Sequence, residues 1–490
     1  MTGEREVLNF IDGAYGKGTG QRFFADRNPA TGQVIARVFE AGAGEVDAAV
    51  AAARRATAGA WAQMDAARRA KVLHGVADGI MARLDDFVAA EVADTGKPFA
   101  PTAKGEVPRA AQQFRLFADM VALAPEQSLE MALGDGGRAR SIVQRAPRGV
   151  IAVICPWNLP LMLLSWKVAP ALACGNSVVV KPSEETPASA ALLGEVMAAA
   201  GVPRGVYNVV HGSGPGAAGE FLTRHPDVDA ITFTGETATG EAIMQAAAVG
   251  VRDVSLELGG KNAGIVFADC DLERAIAGEA MAVFHNCGQI CLGNERLYVE
   301  RPVFDAFVEG LKQRAESLVM GDPHDPKTRL GPLISRAHRD KVLSYFQKAR
   351  GEGACVVTGG SFPDMPAPWA DGAWIEPTIW TGLSETSAVV REEIFGPCCH
   401  IRPFDDEDEV IGLVNDSPYG LTATVWTSDL DRASRVSGRL AVGVVWLNSW
   451  MLRDLRTPFG GRGLSGVGRE GGASSLDFYS QPRTVCARLG

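Results

Sequence analysis

Two short, almost wholly apolar runs constrain this chain more than any other feature: Gly149–Ile154 (G-V-I-A-V-I) and Ser177–Lys181 (S-V-V-V-K). Each is too short for a buried helix and rich in β-branched residues, the composition of a strand covered on both faces, as in the middle of a parallel sheet. A helical pattern over Thr186–Ala200 and a further strand at Val206–Val210 continue the alternation, which predicts a doubly wound α/β unit. A second series follows, with strands predicted at Ala263–Phe267, Arg296–Val299, Ala354–Thr358 and Val442–Leu447. At 490 residues the chain exceeds one ordinary core, so two α/β domains are expected. Upstream, Val46–Ala60 and Ala66–Ala93 are Ala-rich with interspersed charges and predict long exposed helices. Arg138–Arg145 breaks the pattern. Its polar and apolar residues alternate, as in an antiparallel strand with one solvated face.

Composition removes several classes of function. The net charge of −10, with no compensating block of Lys and Arg, argues against a nucleic-acid-binding surface. The opening M-T-G-E-R-E-V-L-N-F carries acidic residues and no long apolar run, unlike a secretory signal. Leu161–Val180 is the most apolar stretch, but Lys167, Gly175 and Asn176 interrupt it, so no membrane association is expected. The nine cysteines are an odd number without a C-x-x-C pair. Cys287 and Cys291 are four apart and Cys398–Cys399 adjacent, with no histidine cluster to complete a site, so no metal is expected. A reducing cytoplasm is the simplest setting.

Chemistry concentrates at Phe284–Arg296, F-H-N-C-G-Q-I-C-L-G-N-E-R, where Cys291 closes G-Q-x-C. Upstream, L-E-L-G-G-K-N sets Glu257 before a Gly-Gly turn. A lone cysteine is more often a small buried hydrophobe. A thiol that attacks a carbon and a carboxylate that later activates water against the adduct make a coherent pair. With P-W-N at Pro156–Asn158 and E-E-I-F-G-P at Glu392–Pro397, the sequence resembles the aldehyde dehydrogenase superfamily over nearly its whole length, with the motifs in the family's order. The resemblance implies an NAD-binding domain from 1–124 and 148–259 and a catalytic domain from 260–460. A small β arm from 125–147 and 470–490 would join subunits into a homodimer or homotetramer.

The resemblance also distributes roles. Gly214–Gly219 (G-P-G-A-A-G) fits a dinucleotide fingerprint, but a lone match is weak. The family's phosphate loop corresponds to Phe233–Gly240 (F-T-G-E-T-A-T-G), bringing Thr234, Gly235 and Glu236 to NAD, with Pro156, Trp157 and Leu258 beside them. Lys181 and Glu184 would reach the adenosine ribose, where a carboxylate accepts from the hydroxyls and repels a 2′-phosphate, favouring NAD over NADP. Glu393 and Phe395 match the positions at the nicotinamide ribose and ring. Cys291 would be the nucleophile, its pKa lowered by nearby helix N–H groups or by the cationic nicotinamide. The Asn158 amide and the Cys291 N–H would hold the oxyanion. Glu257 would activate the hydrolytic water, which favours release of a free acid over transfer to coenzyme A. Cys287, at a variable family position, is expected to pack.

The segment Asn448–Gly461, N-S-W-M-L-R-D-L-R-T-P-F-G-G, together with E-V-P-R at Glu106–Arg109, resembles the branch that oxidises 2-hydroxymuconate and 2-aminomuconate 6-semialdehydes. Such substrates carry a carboxylate opposite the aldehyde, which a fixed guanidinium binds through two parallel hydrogen bonds. Arg109 and Arg453 are the expected partners, with Trp450 and Phe459 as flat walls and Trp157 a further aromatic candidate. Arg456, beside Asp454, reads as a structural ion pair. The 2-hydroxy compound is the leading substrate. The 2-amino analogue, a broader aldehyde range, and a catalytically silent structural relative are the alternatives, the last opposed by retention of Cys291, Glu257 and Asn158.

Overall fold

The computed structural model describes residues 5–124 and 127–489. Positions 1–4, part of the segment read for a targeting signal, and positions 125, 126 and 490 of the expected arm lie outside the described residues. The fold is α/β, built on two large sheets of mainly parallel strands, with one small exposed sheet and two further small sheets of three and two strands. The first sheet runs, edge to edge, Gly466–Val467, Asp253–Glu257, Ala230–Thr234, Val150–Ile154, Ser177–Lys181, Tyr207–Val209, Asn9–Ile11 and Ala14–Gly16. Its four longest strands pair in parallel, and antiparallel strands close both edges.

Alternation of side chains across the pleat explains the two layers around this sheet. Ile151, Val153, Val178 and Val180 point to the helices Ala66–Ala82, Val107–Ala122 and Pro160–Ala173. Val150, Ala152, Val179, Ile231 and Phe233 point the other way, to Ala43–Ala56 and Thr237–Ala248. The second sheet runs Cys355–Thr358, Thr378–Thr381, Cys398–Phe404, Asn294–Glu300, Asn262–Val266, Thr422–Trp426 and Val444–Leu447. Helices Leu272–Phe284 and Phe304–Glu316 cover one of its faces, and Glu407–Asn415 and Leu430–Arg439 the other.

The third sheet joins Gln127–Ala132, Arg138–Pro147 and Ser480–Leu489, all antiparallel. Glu130 bridges Arg138 and Arg140 across it, and Asp135 meets Arg488. Leu129 and Met131 stand 67% and 56% exposed on its edge strand.

The structure changes four expectations. The Ala66–Ala93 pattern is two helices, Ala66–Ala82 and Leu84–Thr95, broken at Arg83, whose guanidinium bridges Asp86 and Glu195. The Ala-rich helices are not exposed throughout, because Val46, Ala49, Val50 and Ala53, and likewise Leu73, Val76 and Ile80, are buried against the first sheet. Cys355–Thr358 is an antiparallel edge strand rather than a member of the parallel series. Residues expected in the arm from 470 onward first form the helix Gly472–Tyr479, which packs on the first sheet's layer and buries Tyr479; the arm strand starts at Ser480. Among the described residues no helix is long and apolar enough to cross a membrane.

Candidate active site

Ligands of doubly wound sheets bind beyond the carboxyl ends of the strands, where the strand order reverses. In the first sheet that point lies between Val150–Ile154 and Ala230–Thr234, since the chain runs outward on both sides of this pair. Pro156, Trp157 and Asn158 follow the first of these strands, Thr234, Gly235 and Glu236 end the second, and Glu257 and Leu258 end the neighbouring strand, whose Glu257 stands opposite Thr234. The second sheet faces this crevice with its amino ends. Cys291 precedes the strand Asn294–Glu300, and Glu393 and Phe395 precede Cys398–Phe404.

All of these except Glu257 line one cleft of about 360 Å³, among them Trp157, Asn158, Gly235, Cys291, Glu393 and Phe395. The Trp157 and Phe395 rings stand edge to face at 5.3 Å. Phe395 holds a left-handed backbone, φ 63°, a conformation that costs a bulky residue energy and persists only where neighbours impose it. Its carbonyl meets His338 Nε2 at 2.8 Å. Glu393 is half-buried, and its Oε1 accepts from Gly260 N–H at 2.8 Å. A Cβ on Gly259 would stand 2.1 Å from that carboxylate, so a larger residue there would displace the Glu393 side chain. Burial, reinforced by the charge of Glu295, pushes the Glu393 carboxyl up to about 8. Lys181 and Glu184 pair at 2.8 Å at the end of their strand but do not line this cleft; Glu185 does.

Cys291 lies in a turn after Asn286 and Cys287, both left-handed at φ 50° and 58°. Asn262 clamps this turn: its Nδ2 donates to the carbonyls of Cys291 (2.7 Å) and Gly293 (2.9 Å), and its Oδ1 accepts from Thr422 N–H (3.0 Å). Asn158 Nδ2 donates to the Gln289 carbonyl at 3.0 Å, so one N–H of that amide fixes the turn and its other proton remains for an oxyanion. The expected helix N–H groups are not at Cys291, and its thiol is not lowered. Burial pushes it up to about 12, with the charges of Glu257 and Glu393 adding to the effect and Arg453 opposing it. Cys287 is buried in the core beneath the second sheet's edge, as packing requires.

Glu257 is 5% exposed, and neither of its carboxylate oxygens has a hydrogen-bond partner. Burial raises its pKa well above the carboxylate range, Glu470 raises it further, and Lys167 and Arg453 pull it down. The last interactions identify a buried pair that sequence reasoning missed, Lys167 Nζ and Glu470 at 2.5 Å. The one signal for it was a lysine inside the most apolar stretch of the chain.

Cys291 packs against an apolar cluster of Leu159, Ile290, Leu292, Leu421, Trp446 and Phe459, as does Trp450. Trp450 Nε1 donates to the Leu292 carbonyl at 2.9 Å, and its ring meets His285 at 5.9 Å. Arg453 lies with its guanidinium 4.0 Å from the Phe459 ring and 4.6 Å from that of Trp166, and its Nε and Nη2 are buried without a hydrogen-bond partner. Arg109, on the first turn of Val107–Ala122, makes only a 3.4 Å contact to Gln112, and its charge is felt at Arg453. Arg456 pairs with Asp454 at 2.6 Å on the surface.

A sequence profile of the Aldehyde dehydrogenase family matches residues 15–485. The chain belongs to that family. It is 63% identical over 99% of its length to the whole of a 2-hydroxymuconic semialdehyde dehydrogenase from Pseudomonas sp. (strain CF600). It is 54% identical, over 99% of its length and 98% of the relative's, to a 2-aminomuconic 6-semialdehyde dehydrogenase from Pseudomonas sp. An NAD+ complex of an aldehyde dehydrogenase from Bacillus cereus superposes with a TM-score of 0.95 at 36% identity, covering 99% of this chain and 97% of that one.

As an aldehyde dehydrogenase the protein is an oxidoreductase acting on aldehydes. Within it, Glu185, Ser335, His338 and Lys341 line the cleft without having been singled out from sequence. The last three come from the start of the polar helix Arg336–Gly351 and its cap, whose composition resembles any solvated helix. Lys341 reaches Glu236 at 3.5 Å across the cleft mouth.

Proposed function

We propose that this aldehyde dehydrogenase oxidises 2-hydroxymuconate 6-semialdehyde to the dicarboxylic acid with NAD, in the cytoplasm, as part of aromatic ring-cleavage catabolism. The observation that carries the substrate is Arg453, a half-buried arginine whose guanidinium lies against two aromatic rings and whose Nε and Nη2 are buried and, among the described residues, unpartnered. A cation buried in this way costs desolvation energy that a substrate carboxylate would repay. Arg109 would serve as its second cation, and Trp450 and Phe459 would flank the conjugated chain. The names of the 63% and 54% identical relatives support the same substrate class and leave the 2-amino compound as the second reading.

Residues 1–124 and 148–259 would form the NAD-binding domain and 260–460 the catalytic one. The cleft suits the cofactor. The helix Thr237–Ala248 opens beside Gly235, offering N–H groups to a pyrophosphate. Glu393 suits ribose hydroxyls, Pro156, Trp157, Thr234, Glu236, Leu258 and Phe395 flank it, and Lys181 with Glu184 would take the adenosine ribose. When bound, the oxidised nicotinamide supplies a hydride acceptor and a positive charge.

The chain's own residues supply the rest. Cys291, its proton passed to solvent, attacks the aldehyde carbon as the thiolate; the new C–S bond opens the carbonyl π bond and leaves its electrons on oxygen. Asn158 Nδ2 and the Cys291 N–H steady the resulting oxyanion, and removing one such donor typically costs about 3 kcal/mol of transition-state stabilisation. Once the hydride has left, a thioester remains on Cys291. Glu257, a strong proton acceptor because it is buried and unpaired, takes a proton from the water that releases the acid.

The arginine assignment is tested by kinetics on two substrates. Arg453→Ala and Arg109→Ala should each lower kcat/KM on the muconic semialdehyde by about 30-fold, equivalent to about 2 kcal/mol. On an aldehyde lacking a carboxylate the loss should be far smaller. Equal losses on both would make the arginines structural and return the protein to a general aldehyde oxidiser.

A further inference from the structure

We propose that Glu295, a residue that touches neither substrate nor thiol, is a positioning residue that holds the loop carrying Glu393 and Phe395 in register with the nucleophile turn. The inference rests on the reading of that loop as the nicotinamide-side cofactor contact.

Glu295 is buried, 7% exposed, four residues after Cys291 on the strand Asn294–Glu300 that leaves the nucleophile turn. Its carboxylate is used on both oxygens. Oε1 accepts from Ile394 N–H at 3.1 Å and Phe395 N–H at 2.8 Å, and Oε2 accepts from Ile394 N–H at 3.0 Å and from the Lys261 ammonium. Lys261 belongs to the segment after Glu257, and its neighbour Gly260 donates its N–H to Glu393. One carboxylate therefore ties together three segments, those of the base, the nucleophile and the cofactor-facing loop.

The loop needs such a tie. It contains no helix or strand between Glu392 and Pro397, and Phe395 sits in a left-handed conformation that its side chain disfavours. A charged acceptor makes hydrogen bonds roughly twice as strong as a neutral one, and two adjacent N–H groups on one oxygen fix the local φ and ψ. The other side of the loop is the nucleophile turn itself: a Cβ on Gly288 would stand 2.0 Å from the Gly396 carbonyl, so the two backbones touch. Moving the loop would change the separation between a cofactor on Glu393 and Phe395 and a substrate on Cys291.

Glu295→Gln is the decisive variant, because it keeps the volume and one acceptor oxygen while setting an NH2 against a donor, either Ile394 N–H or Lys261. NAD affinity measured by titration calorimetry should weaken about tenfold, and a primary deuterium isotope effect on kcat with aldehyde-deuterated substrate should grow as hydride transfer slows. Alkylation of Cys291 by iodoacetamide without cofactor should keep its rate, since Asn262 holds that turn. Glu279→Gln, another buried carboxylate of the second domain, bonded to Asn294, Thr424 and Trp426 instead, should lower Tm without moving NAD affinity or the isotope effect. If Glu295→Gln behaves like Glu279→Gln, the positioning role is wrong. Should Glu295→Gln not fold, Glu295→Asp, which keeps the charge but cannot span both loop and lysine, is read in the same assays. Glu393→Gln separates the two layers of the argument: if it leaves NAD affinity unchanged, the loop is not a cofactor contact and both readings fall together. If only Glu393→Gln weakens NAD, Glu295 is not the positioning residue.

Discussion

Cys291 and Glu257 carry opposite burdens at the same site. In the proposed reaction the thiol loses a proton in surroundings that hold it up to about 12, mainly through burial and then through two nearby carboxylates. A thiol with a raised pKa has a thiolate fraction that falls about tenfold for each pH unit below that pKa. Alkylation of Cys291 in the cofactor-free protein, followed by peptide mass spectrometry, should therefore climb about tenfold per unit from pH 7 to pH 10 with no plateau at the ordinary thiol value of about 8.5. A plateau below pH 9 would contradict the raised pKa. Glu257, buried with both oxygens free, has no hydrogen bond to lose when it takes a proton. Glu257→Ala should leave a burst of reduced cofactor followed by a weak steady rate, with an acyl adduct on Cys291 by mass spectrometry. Cys291→Ala should abolish the burst and Cys287→Ala should preserve it. Steady turnover without adduct would remove Glu257 from deacylation.

At the scale of elements, the strands were legible where both faces are buried. Val150–Ile154 and the Val178–Val180 centre of Ser177–Lys181 are apolar because helices cover both sides, and that is what their sequences record. Edge elements left no such trace. Asn9–Ile11, Ala14–Gly16 and Gly466–Val467 are two or three residues long, below the length at which any periodicity registers. Asp253–Glu257 and Ala230–Thr234 were entered only as motif flanks. G-P-G-A-A-G illustrates the reverse hazard. Gly214 and Gly216 do adopt left-handed turns, but the helix after them begins inside the motif at Ala218, is seven residues long, and the segment does not line the cleft. Of the site, the residues inside sequence motifs were legible from a resemblance. Glu295, Lys261, Asn262, His338 and Glu470 act through partners far away in the chain, and a contact between distant segments leaves no local pattern. Lys261, Asn262 and Glu295 are the nearest misses, standing in the quoted L-E-L-G-G-K-N and F-H-N-C-G-Q-I-C-L-G-N-E-R with no role given to them.

For the whole molecule, the small sheet is the part that the rest does not account for. Its strands contribute no cover to either core, and Leu129 and Met131 remain exposed on an edge strand, a combination that in a lone protein invites pairing with another chain. If this sheet joins subunits, Leu129→Asp combined with Met131→Asp should lower the mass measured by light scattering while leaving the cooperative unfolding of the two large sheets in place. An unchanged mass would assign assembly to another surface.

The buried pair of Lys167 and Glu470 has a consequence for how the protein is made. Lys167 lies in a helix of the first layer and is fully enclosed, so until Glu470 arrives it is a charge sealed in apolar surroundings, or else that layer stays open. Tyr479 and the edge strand Gly466–Val467 likewise come to the first sheet from beyond Phe459. The strands of the second sheet are therefore all synthesised before the layers of the first sheet can close. Contacts this distant in sequence carry a large loop-closure cost and slow folding. The nascent chain spends most of its synthesis with an incomplete first domain, the condition in which such chains rely on holdase chaperones.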